Sequence, residues 1–391
     1  MDSKRMIIAL NCAIYIFMFG VGLITPLLPG KILSLSGSTV QVGWLASAFA
    51  CSYILFQVPI GFLADKFGYK IFIAFGYFVC GAAGCIYLIA DSSILILGGR
   101  VIQGIGEVPL WALAPALLSI LRPAYKARII GWYNASLHIG LTSGSIFGFA
   151  VHGYLSEYQA FVIFTSFCIL AITLTLMCGN ENAIPSVIPE THFDIDNQKL
   201  LQLIRDRRIL CVLSGIAVYG AGYGVYLTII PSFLLKGDQF SHTSVGWLFI
   251  GFYVGISLAQ LVGGYIADKK GRVLPMVTGM FLFALGQIFF PRFTIGIAIG
   301  FLSIASFGLG LFLIGSIAIL NDQVGDKSKG LVSGIFYLFW GCGYFTGPLI
   351  LGYAGEQGLY VQGFTSLGVL AGIISILLMA LHKTMVSKDA H

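Results

Sequence analysis

Residues 43–76 read GWLASAFACSYILFQVPIGFLADKFGYKIFIAFG, and residues 246–279 read GWLFIGFYVGISLAQLVGGYIADKKGRVLPMVTG. The two stretches align without a gap, with Asp65 opposite Asp268, and twelve positions are identical. Three later glycine pairs keep the same offset of 203 residues: Gly131/Gly334, Gly140/Gly343 and Gly144/Gly347. The chain therefore consists of two related halves, which we attribute to an internal duplication.

Outside this repeat the chain is equally apolar. Of its 391 residues, 58% are hydrophobic and only 10% are charged, whereas about 25% of the residues in a soluble protein are charged. This composition excludes a soluble enzyme, a secreted disulfide scaffold, a disordered chain and a nucleic-acid-binding protein. The 50 glycines suit closely packed membrane helices. We therefore predict an all-α polytopic membrane protein.

Twelve apolar stretches are long enough to cross a bilayer, which takes roughly 20 residues. We number them span 1 to span 12 and predict them at 6–29, 40–64, 71–90, 93–121, 128–153, 158–178, 209–235, 243–267, 273–291, 293–320, 329–354 and 358–382. The longest polar stretch separates the two sets of six spans. This predicts an N-terminal six-helix bundle (1–178), a central linker (179–208) and a C-terminal six-helix bundle (209–391).

The basic residues are distributed unevenly between the loops. With both termini in the cytoplasm, 18 of the 22 lysines and arginines lie on the cytoplasmic side, as the positive-inside rule requires. This predicts an integral plasma (inner) membrane protein with both termini and the linker in the cytoplasm. It also explains the net charge of +6 by topology, without an anionic partner. We expect a monomer in the lipid bilayer that binds no nucleic acid.

Three motifs stand at definite places among the spans. The loop after span 2 contains Gly61, Asp65, Lys66, Gly68 and Lys70, and the loop after span 8 contains Gly264, Asp268, Lys269, Gly271 and Arg272. Span 4 contains R-x-x-Q-G-x-G, formed by Arg100, Gln103, Gly104 and Gly106. Span 5 contains Gly140, Gly144, Ser145 and Gly148.

These motifs resemble those of the major facilitator superfamily, and the resemblance covers essentially the whole chain. It implies two pseudo-symmetric bundles of six helices, and the pattern looks most like the twelve-span drug:proton antiporter branch. In that family the loop motif latches the cytoplasmic side during alternating access, and Gly61 is expected to permit a close helix approach. The alternative interpretation is a turn whose lysines serve topology alone.

The export signature of that branch, G-x-x-x-G-P-x-x-G-G, is altered in span 5. Ser145 stands in place of the proline, and Phe149 in place of the last glycine. The copy in span 11 keeps Gly343, Gly347 and Pro348. The resemblance therefore leaves the direction of transport open.

Two charged residues, Arg100 and Glu107, lie well inside a predicted span. Both are in span 4, and a separation of seven residues places them on one helix face, about 10 Å apart along the axis. That distance argues against a direct ion pair, and Gln103 or water could bridge them. Charged groups inside a membrane are costly and usually functional. We predict that Glu107 is the proton-coupling or cation-binding carboxylate, tuned by Arg100. The alternative is a structural polar cluster between spans 4, 1 and 5.

Other polar and aromatic residues of the spans are candidate substrate contacts. Tyrosine and tryptophan combine an apolar ring with one polar group. The candidates are Asn11, Tyr15, Trp111, Asn134, His138, Tyr223, Gln260 and Trp340. Each could instead serve packing or interfacial anchoring. One cation, one anion and many aromatic rings favour an amphipathic neutral or cationic solute.

The chain contains no phosphate loop, no metal-ligand cluster and no nucleophile–base set. We therefore expect neither an enzyme nor a cofactor or metal site. The predicted function is secondary active transport by alternating access, in which protons are exchanged for an amphipathic organic molecule. The alternatives are an uptake symporter or uniporter for a small metabolite and, less favoured, a lipid flippase or a non-transporting receptor.

Overall fold

The computed structural model of the protein describes residues 2–122, 126–151, 153–177, 206–236, 242–322 and 329–386. The regular elements of these residues are helices. The chain divides into two compact units. Of the described residues, unit 1 contains 2–37 and 48–177, and unit 2 contains 38–47 and 206–386.

Spans 1 to 6 are helical, and spans 1 and 4 are interrupted. The helices are Asp2–Ile24 and Leu27–Ser36 (span 1), Thr39–Phe67 (span 2), Tyr69–Ile89 (span 3), Ser93–Val108 and Ala114–Leu121 (span 4), Lys126–Ala150 (span 5) and Glu157–Met177 (span 6). The interruption of span 1 lies at Pro26, which has no N–H to continue the helical hydrogen bonding.

Spans 7 to 12 follow in the same manner. The helices are Arg207–Leu227 and Ile229–Lys236 (span 7), His242–Lys270 (span 8), Val273–Phe289 (span 9), Ile295–Asp322 (span 10), Lys329–Glu356 (span 11) and Tyr360–Val386 (span 12). Span 7 begins where the Asp206 carboxylate accepts the backbone N–H of Arg208 at 2.8 Å, which satisfies a free donor of the first helical turn. The predicted linker lies almost entirely outside the described residues, so the division at 179–208 stays a prediction.

Among the described residues, eleven of the twelve spans are long and apolar enough to cross a membrane. The remaining one is span 5, whose 25 residues are long enough. It is more polar than the others and carries Asn134, Ser136, His138, Thr142, Ser143 and Ser145. The order of the helices confirms the predicted all-α polytopic fold.

Glycines allow two pairs of spans to cross at short distance. In unit 1 a Cβ added to Gly144 of span 5 would overlap the backbone carbonyl of Phe19 in span 1. In unit 2 a Cβ added to Gly343 of span 11 would overlap the backbone carbonyl of Ala217 in span 7. Each half of the duplication thus builds the same crossing, and a side chain larger than hydrogen would separate the helices.

The first residues of span 2 pack within unit 2, which the sequence does not predict. The backbone N–H of Thr39 donates to Glu356 Oε2 at 3.0 Å, and its hydroxyl donates to the Gly352 carbonyl at 2.9 Å. The Ser47 hydroxyl donates to the Phe345 carbonyl at 2.6 Å. The end of span 11 therefore satisfies the free N-terminal donor of span 2.

Replacing Glu356 by alanine should lower the stability of the protein. The variant loses the acceptor of the Thr39 N–H, and loss of such a cap costs about 1 kcal/mol. Thermal unfolding in detergent measures the effect. The matched control is Glu157→Ala, because Glu157 is half exposed and its carboxylate lies 3.9 Å from Lys31 Nζ. A surface pair of this kind contributes little, so equal losses from both variants would contradict the role of Glu356.

Candidate functional site

The two charged residues of span 4 are buried in unit 1 and are joined by Gln103. Arg100 Nη1 donates to Gln103 Oε1 at 3.0 Å, and Gln103 Nε2 donates to Glu107 Oε1 at 2.8 Å. The exposed fraction is 5% for Arg100 and Glu107 and 0% for Gln103. The predicted bridge is therefore confirmed, whereas the role of the three residues in coupling stays a prediction.

Three aromatic side chains complete this polar chain. The Tyr87 hydroxyl donates to Gln103 Oε1 at 2.8 Å, and Trp111 Nε1 donates to Glu107 Oε2 at 3.0 Å. The Arg100 guanidinium lies 4.7 Å from the centre of the Phe49 ring, a distance at which a cation is attracted to an aromatic face.

The contacts described above bring Tyr87 from span 3 and Phe49 from span 2 to the polar chain of span 4. The alternative interpretation expected partners from spans 1 and 5, and its structural role stays a prediction. Sequence reasoning missed Tyr87 and Phe49, because helical spacing relates residues of one helix only.

Unit 2 contains the same crossing of helices without the polar chain. Span 3 crosses span 4 at Gly76 and Gly106, and span 9 crosses span 10 at Gly279 and Gly308, with backbone carbonyls against each glycine. Counted from these glycines, unit 2 has apolar residues at the corresponding positions. Leu302, Ala305, Leu309 and Phe290 correspond to Arg100, Gln103, Glu107 and Tyr87. All four are buried, so the helix crossing does not require the polar chain.

Span 4 loses its regular helical form directly after Glu107. Residues Pro109–Leu113 form a π-helical turn, in which the N–H of Ala114 donates to the carbonyl of Pro109. The Leu110 carbonyl accepts the hydroxyl of Tyr133 from span 5 at 2.8 Å. Pro109 begins this turn and Pro115 follows it, and neither residue has an N–H for the helical hydrogen bonding. Turns of this kind are frequent at functional sites.

An open cleft of about 320 Å³ lies between spans 1 and 5 of unit 1. It is lined by Asn11, Cys12, Tyr15, Ile16 and Ser136. The Ser136 hydroxyl donates to Asn11 Oδ1 at 3.1 Å, and so joins the two spans. The cleft brings together two of the predicted substrate contacts, Asn11 and Tyr15, and its volume suits a small molecule. No pattern in the sequence singles out Cys12 or Ser136.

Two further candidates, Tyr223 and Trp340, meet in unit 2. Their ring centres are 6.2 Å apart, and Trp340 stacks on Tyr344 at 4.9 Å. Both candidates are half-buried. Such a group of rings can receive an apolar or cationic group.

The other candidates are more scattered. Asn134 is exposed on span 5, whereas His138 is half-buried on the same helix. Gln260 is half-buried in span 8. Within the described part of the chain, no group of histidine, cysteine and acidic residues is arranged to hold a metal ion.

The two loop motifs form similar turns. Gly68 and Gly271 have φ values of 97° and 88°, which favour glycine because it has no Cβ. The Lys70 ammonium donates to the Leu176 carbonyl of span 6 at 3.0 Å, and Arg272 Nη1 donates to the Ala318 carbonyl of span 10 at 2.8 Å. Each turn thus ties its following helix to a neighbouring span.

The acidic residues and the first glycines of the two loop motifs make no described contact that would form a latch. The Asp65 side chain lies outside the described residues, and Asp268 is exposed. A Cβ added to Gly61 or Gly264 would have no described atom within 4 Å. The close approach expected at Gly61 is therefore not seen among the described residues, and the latch itself stays a prediction.

Comparison of the sequence with known proteins identifies relatives along its whole length. The family model described as Major Facilitator Superfamily matches residues 10–237 and 212–390. The quinolone resistance protein NorA of Staphylococcus aureus is 23% identical over 399 residues, covering 99% of both chains. An MFS-type transporter of Methanocaldococcus jannaschii is 21% identical over 376 residues, covering 92% of both chains.

Solved structures share the fold at lower identity. A variant of the nucleoside transporter NupG superposes with a TM-score of 0.80 at 14% identity, covering 96% of this chain and 99% of that one. A bacterial homologue of the human lysosomal transporter Spinster superposes with a TM-score of 0.79 at 16% identity, covering 98% and 96%. The duplicated halves, the helical fold and the family match over both halves agree, and the chain belongs to the Major Facilitator Superfamily of membrane transporters.

Proposed function

We propose that this transporter is a proton-coupled exporter of amphipathic neutral or cationic organic compounds. It works by alternating access, and Glu107 is the group that binds and releases the proton. The observation that carries the proposal is the buried chain of Arg100, Gln103 and Glu107 in span 4. Arg100 balances the charge of the carboxylate through Gln103.

The comparison of the two units supports a functional role over a structural one. Burying ionisable groups inside a membrane helix is costly. Unit 2 achieves the same crossing with Leu302, Ala305 and Leu309, all buried. Since the fold does not need the polar chain, retaining it in unit 1 is best explained by a task that requires a titratable group.

The substrate class follows from the uncharged groups of two regions, one in each unit. The cleft of unit 1 offers an amide, two hydroxyls and a thiol, and the aromatic group of unit 2 offers Tyr223 and Trp340. These groups suit a lipophilic solute with few polar atoms and at most a positive charge. The likeness to a quinolone resistance protein supports export.

The uneven distribution of basic residues supports insertion in the plasma (inner) membrane with both termini in the cytoplasm. In this orientation the two loop motifs lie on the cytoplasmic side. We place the latch there, with Asp65 and Asp268 as its acidic residues. The transporter acts as a monomer, because each polypeptide contains both six-helix halves.

One observation favours a second candidate, an uptake symporter or uniporter for a small metabolite. Ser145 occupies the position of the proline in the export signature, and its hydroxyl donates to the Gly22 carbonyl at 2.9 Å. This bond joins spans 5 and 1 in a manner that proline cannot provide.

Transport assays in proteoliposomes test the proposal. The purified protein is reconstituted, a pH gradient is imposed, and the movement of lipophilic dyes, organic cations and small neutral metabolites is followed. We expect movement of a dye or cation against its gradient, in the direction opposite to the protons, and collapse when a protonophore is added. Movement that ignores the pH gradient would contradict proton coupling, and accumulation in the direction of the protons would favour the uptake symporter.

A further inference from the structure

The carboxylate of Glu107 is surrounded by hydrogen-bond donors. Gln103 Nε2 donates to its Oε1 at 2.8 Å, and Trp111 Nε1 donates to its Oε2 at 3.0 Å. An indole N–H can only donate. Each oxygen of Glu107 therefore has one described partner, and both partners are donors.

The orientation of the Gln103 amide is fixed from its other side. Gln103 Oε1 accepts from Arg100 Nη1 at 3.0 Å and from the Tyr87 hydroxyl at 2.8 Å. A guanidinium has no acceptor, so turning the amide over would place its NH₂ group against Arg100. The hydrogen bonds of the polar chain therefore all point the same way, from Arg100 and Tyr87 to Gln103 and from Gln103 to Glu107.

This arrangement fits an ionised Glu107 better than a protonated one. Protonation leaves one oxygen as an O–H group, which accepts a hydrogen bond much more weakly than a carboxylate oxygen does. The bond from one of the two donors is then weakened, and the more loosely held donor is the one that can leave. Gln103 is held by two donors and is fully buried, whereas Trp111 is half-buried and lies in the π-helical turn. Trp111 is therefore the partner that is free to leave.

The π-helical turn lacks one of the backbone hydrogen bonds that its pattern would provide. Its i→i+5 pattern would bond the N–H of residue 115 to the Leu110 carbonyl, but Pro115 has no N–H. The Tyr133 hydroxyl of span 5 supplies that donor instead, at 2.8 Å. Trp111 thus lies in a turn whose Leu110 carbonyl is bonded to span 5, the helix that also lines the cleft with Ser136.

We propose that Trp111 is a positioning residue that reports the protonation state of Glu107 to the π-helical turn of span 4. The ionised carboxylate holds the indole N–H and keeps the turn in the form described above. The protonated carboxyl releases the indole, and the turn rearranges. This step rests on the proposed role of Glu107 in proton coupling and adds the element that responds to it.

The titratable and charged groups near Glu107 come from three spans. Arg100 lies on its own helix, Cys80 and Tyr87 on span 3, and Cys168 on span 6. Arg100 stays charged throughout the physiological range. Glu107 is the group among these whose charge is expected to change with the proton load.

Tryptophan fluorescence tests the release of Trp111 directly. The purified protein is titrated from pH 8 to pH 5 in lipid nanodiscs, and the emission of its five tryptophans is recorded. We expect a pH-dependent change that is absent from Trp111→Phe and from Glu107→Gln. Trp132→Phe is the matched control, because Trp132 is 53% exposed and should leave the change intact. An emission change that persists in Trp111→Phe or in Glu107→Gln would overturn the proposal.

The pH profile of transport gives a second, independent measurement. Trp111→Phe keeps an aromatic ring but removes one donor from the carboxylate, which favours the protonated form. We expect the midpoint of the pH profile to rise by about one pH unit or more. If Glu107→Gln still responds to the pH gradient, the proposed function itself is wrong. If Glu107→Gln has lost that response while Trp111→Phe keeps the wild-type midpoint, only the role of Trp111 is wrong.

Discussion

Replacing Glu107 by glutamine is expected to abolish transport driven by a pH gradient. Glutamine has nearly the same shape as glutamate but cannot take up or release a proton at physiological pH. It also cannot accept from both Gln103 and Trp111, because only one of its two terminal atoms is an acceptor. In proteoliposomes the variant should move substrate no faster with the pH gradient than without it.

The control for this variant is Glu157→Gln, which changes an acidic residue of span 6 whose side chain is 52% exposed. That variant should keep the full response to the gradient. A stability measurement separates coupling from folding. Glu107→Leu should still fold, because Leu309 occupies the corresponding buried position of unit 2. Its stability should fall by about 3–5 kcal/mol, because Arg100 stays buried without its counter-charge. Aggregation of Glu107→Leu together with intact coupling in Glu107→Gln would point to a purely structural role.

Replacing Gly343 by alanine should prevent span 11 from packing on span 7. The new methyl group would overlap the carbonyl oxygen of Ala217 and lie 2.6 Å from its carbonyl carbon. Both atoms belong to a helix backbone, so no side-chain rotation relieves the contact. Overpacking of a buried site costs about 1–3 kcal/mol, and more when the backbone must move. We expect a large loss of monodisperse protein and a lower unfolding temperature.

Gly334→Ala is the matched control in the same helix. A Cβ at Gly334 would have no described atom within 4 Å, and alanine favours a helix over glycine by about 1 kcal/mol. This variant should be as stable as the parent or slightly more stable. The pair Gly144→Ala and Gly131→Ala repeats the test in span 5. Gly144 lies against the Phe19 backbone, whereas a Cβ at Gly131 would have no described atom within 4 Å. If Gly343→Ala were as stable as Gly334→Ala, close packing at this crossing would not hold the bundle together.

The architecture could be predicted because the sequence signals for it either lie within one span or recur in both halves. A run of apolar residues identifies each span by itself, and the offset between Asp65 and Asp268 relates the halves without any structure. Span 5 is the least regular case, because His138 and its polar neighbours dilute the apolar signal. The ends of the helices differ from the prediction where turn chemistry decides, as at Pro26, after which span 1 continues to Ser36.

Part of the candidate site could also be predicted. Helical periodicity places Arg100, Gln103 and Glu107 on one face of span 4, and the axial rise between them makes Gln103 the bridge. Both relations involve only one helix. The hydrogen bonds at 3.0 and 2.8 Å agree with this expectation.

The set of spans, their duplication and the polar face of span 4 can be read from the sequence, because each depends on residues close together in the chain or on a fixed repeat. That Tyr87 orients Gln103 and that Phe49 faces Arg100 is seen only once the helices are packed. The same holds for the correspondence of Leu309 to Glu107, since that relation is counted from the crossing at Gly106 and Gly308. These contacts depend on how distant helices cross and rotate against each other, and the packing of small residues at each crossing sets that geometry.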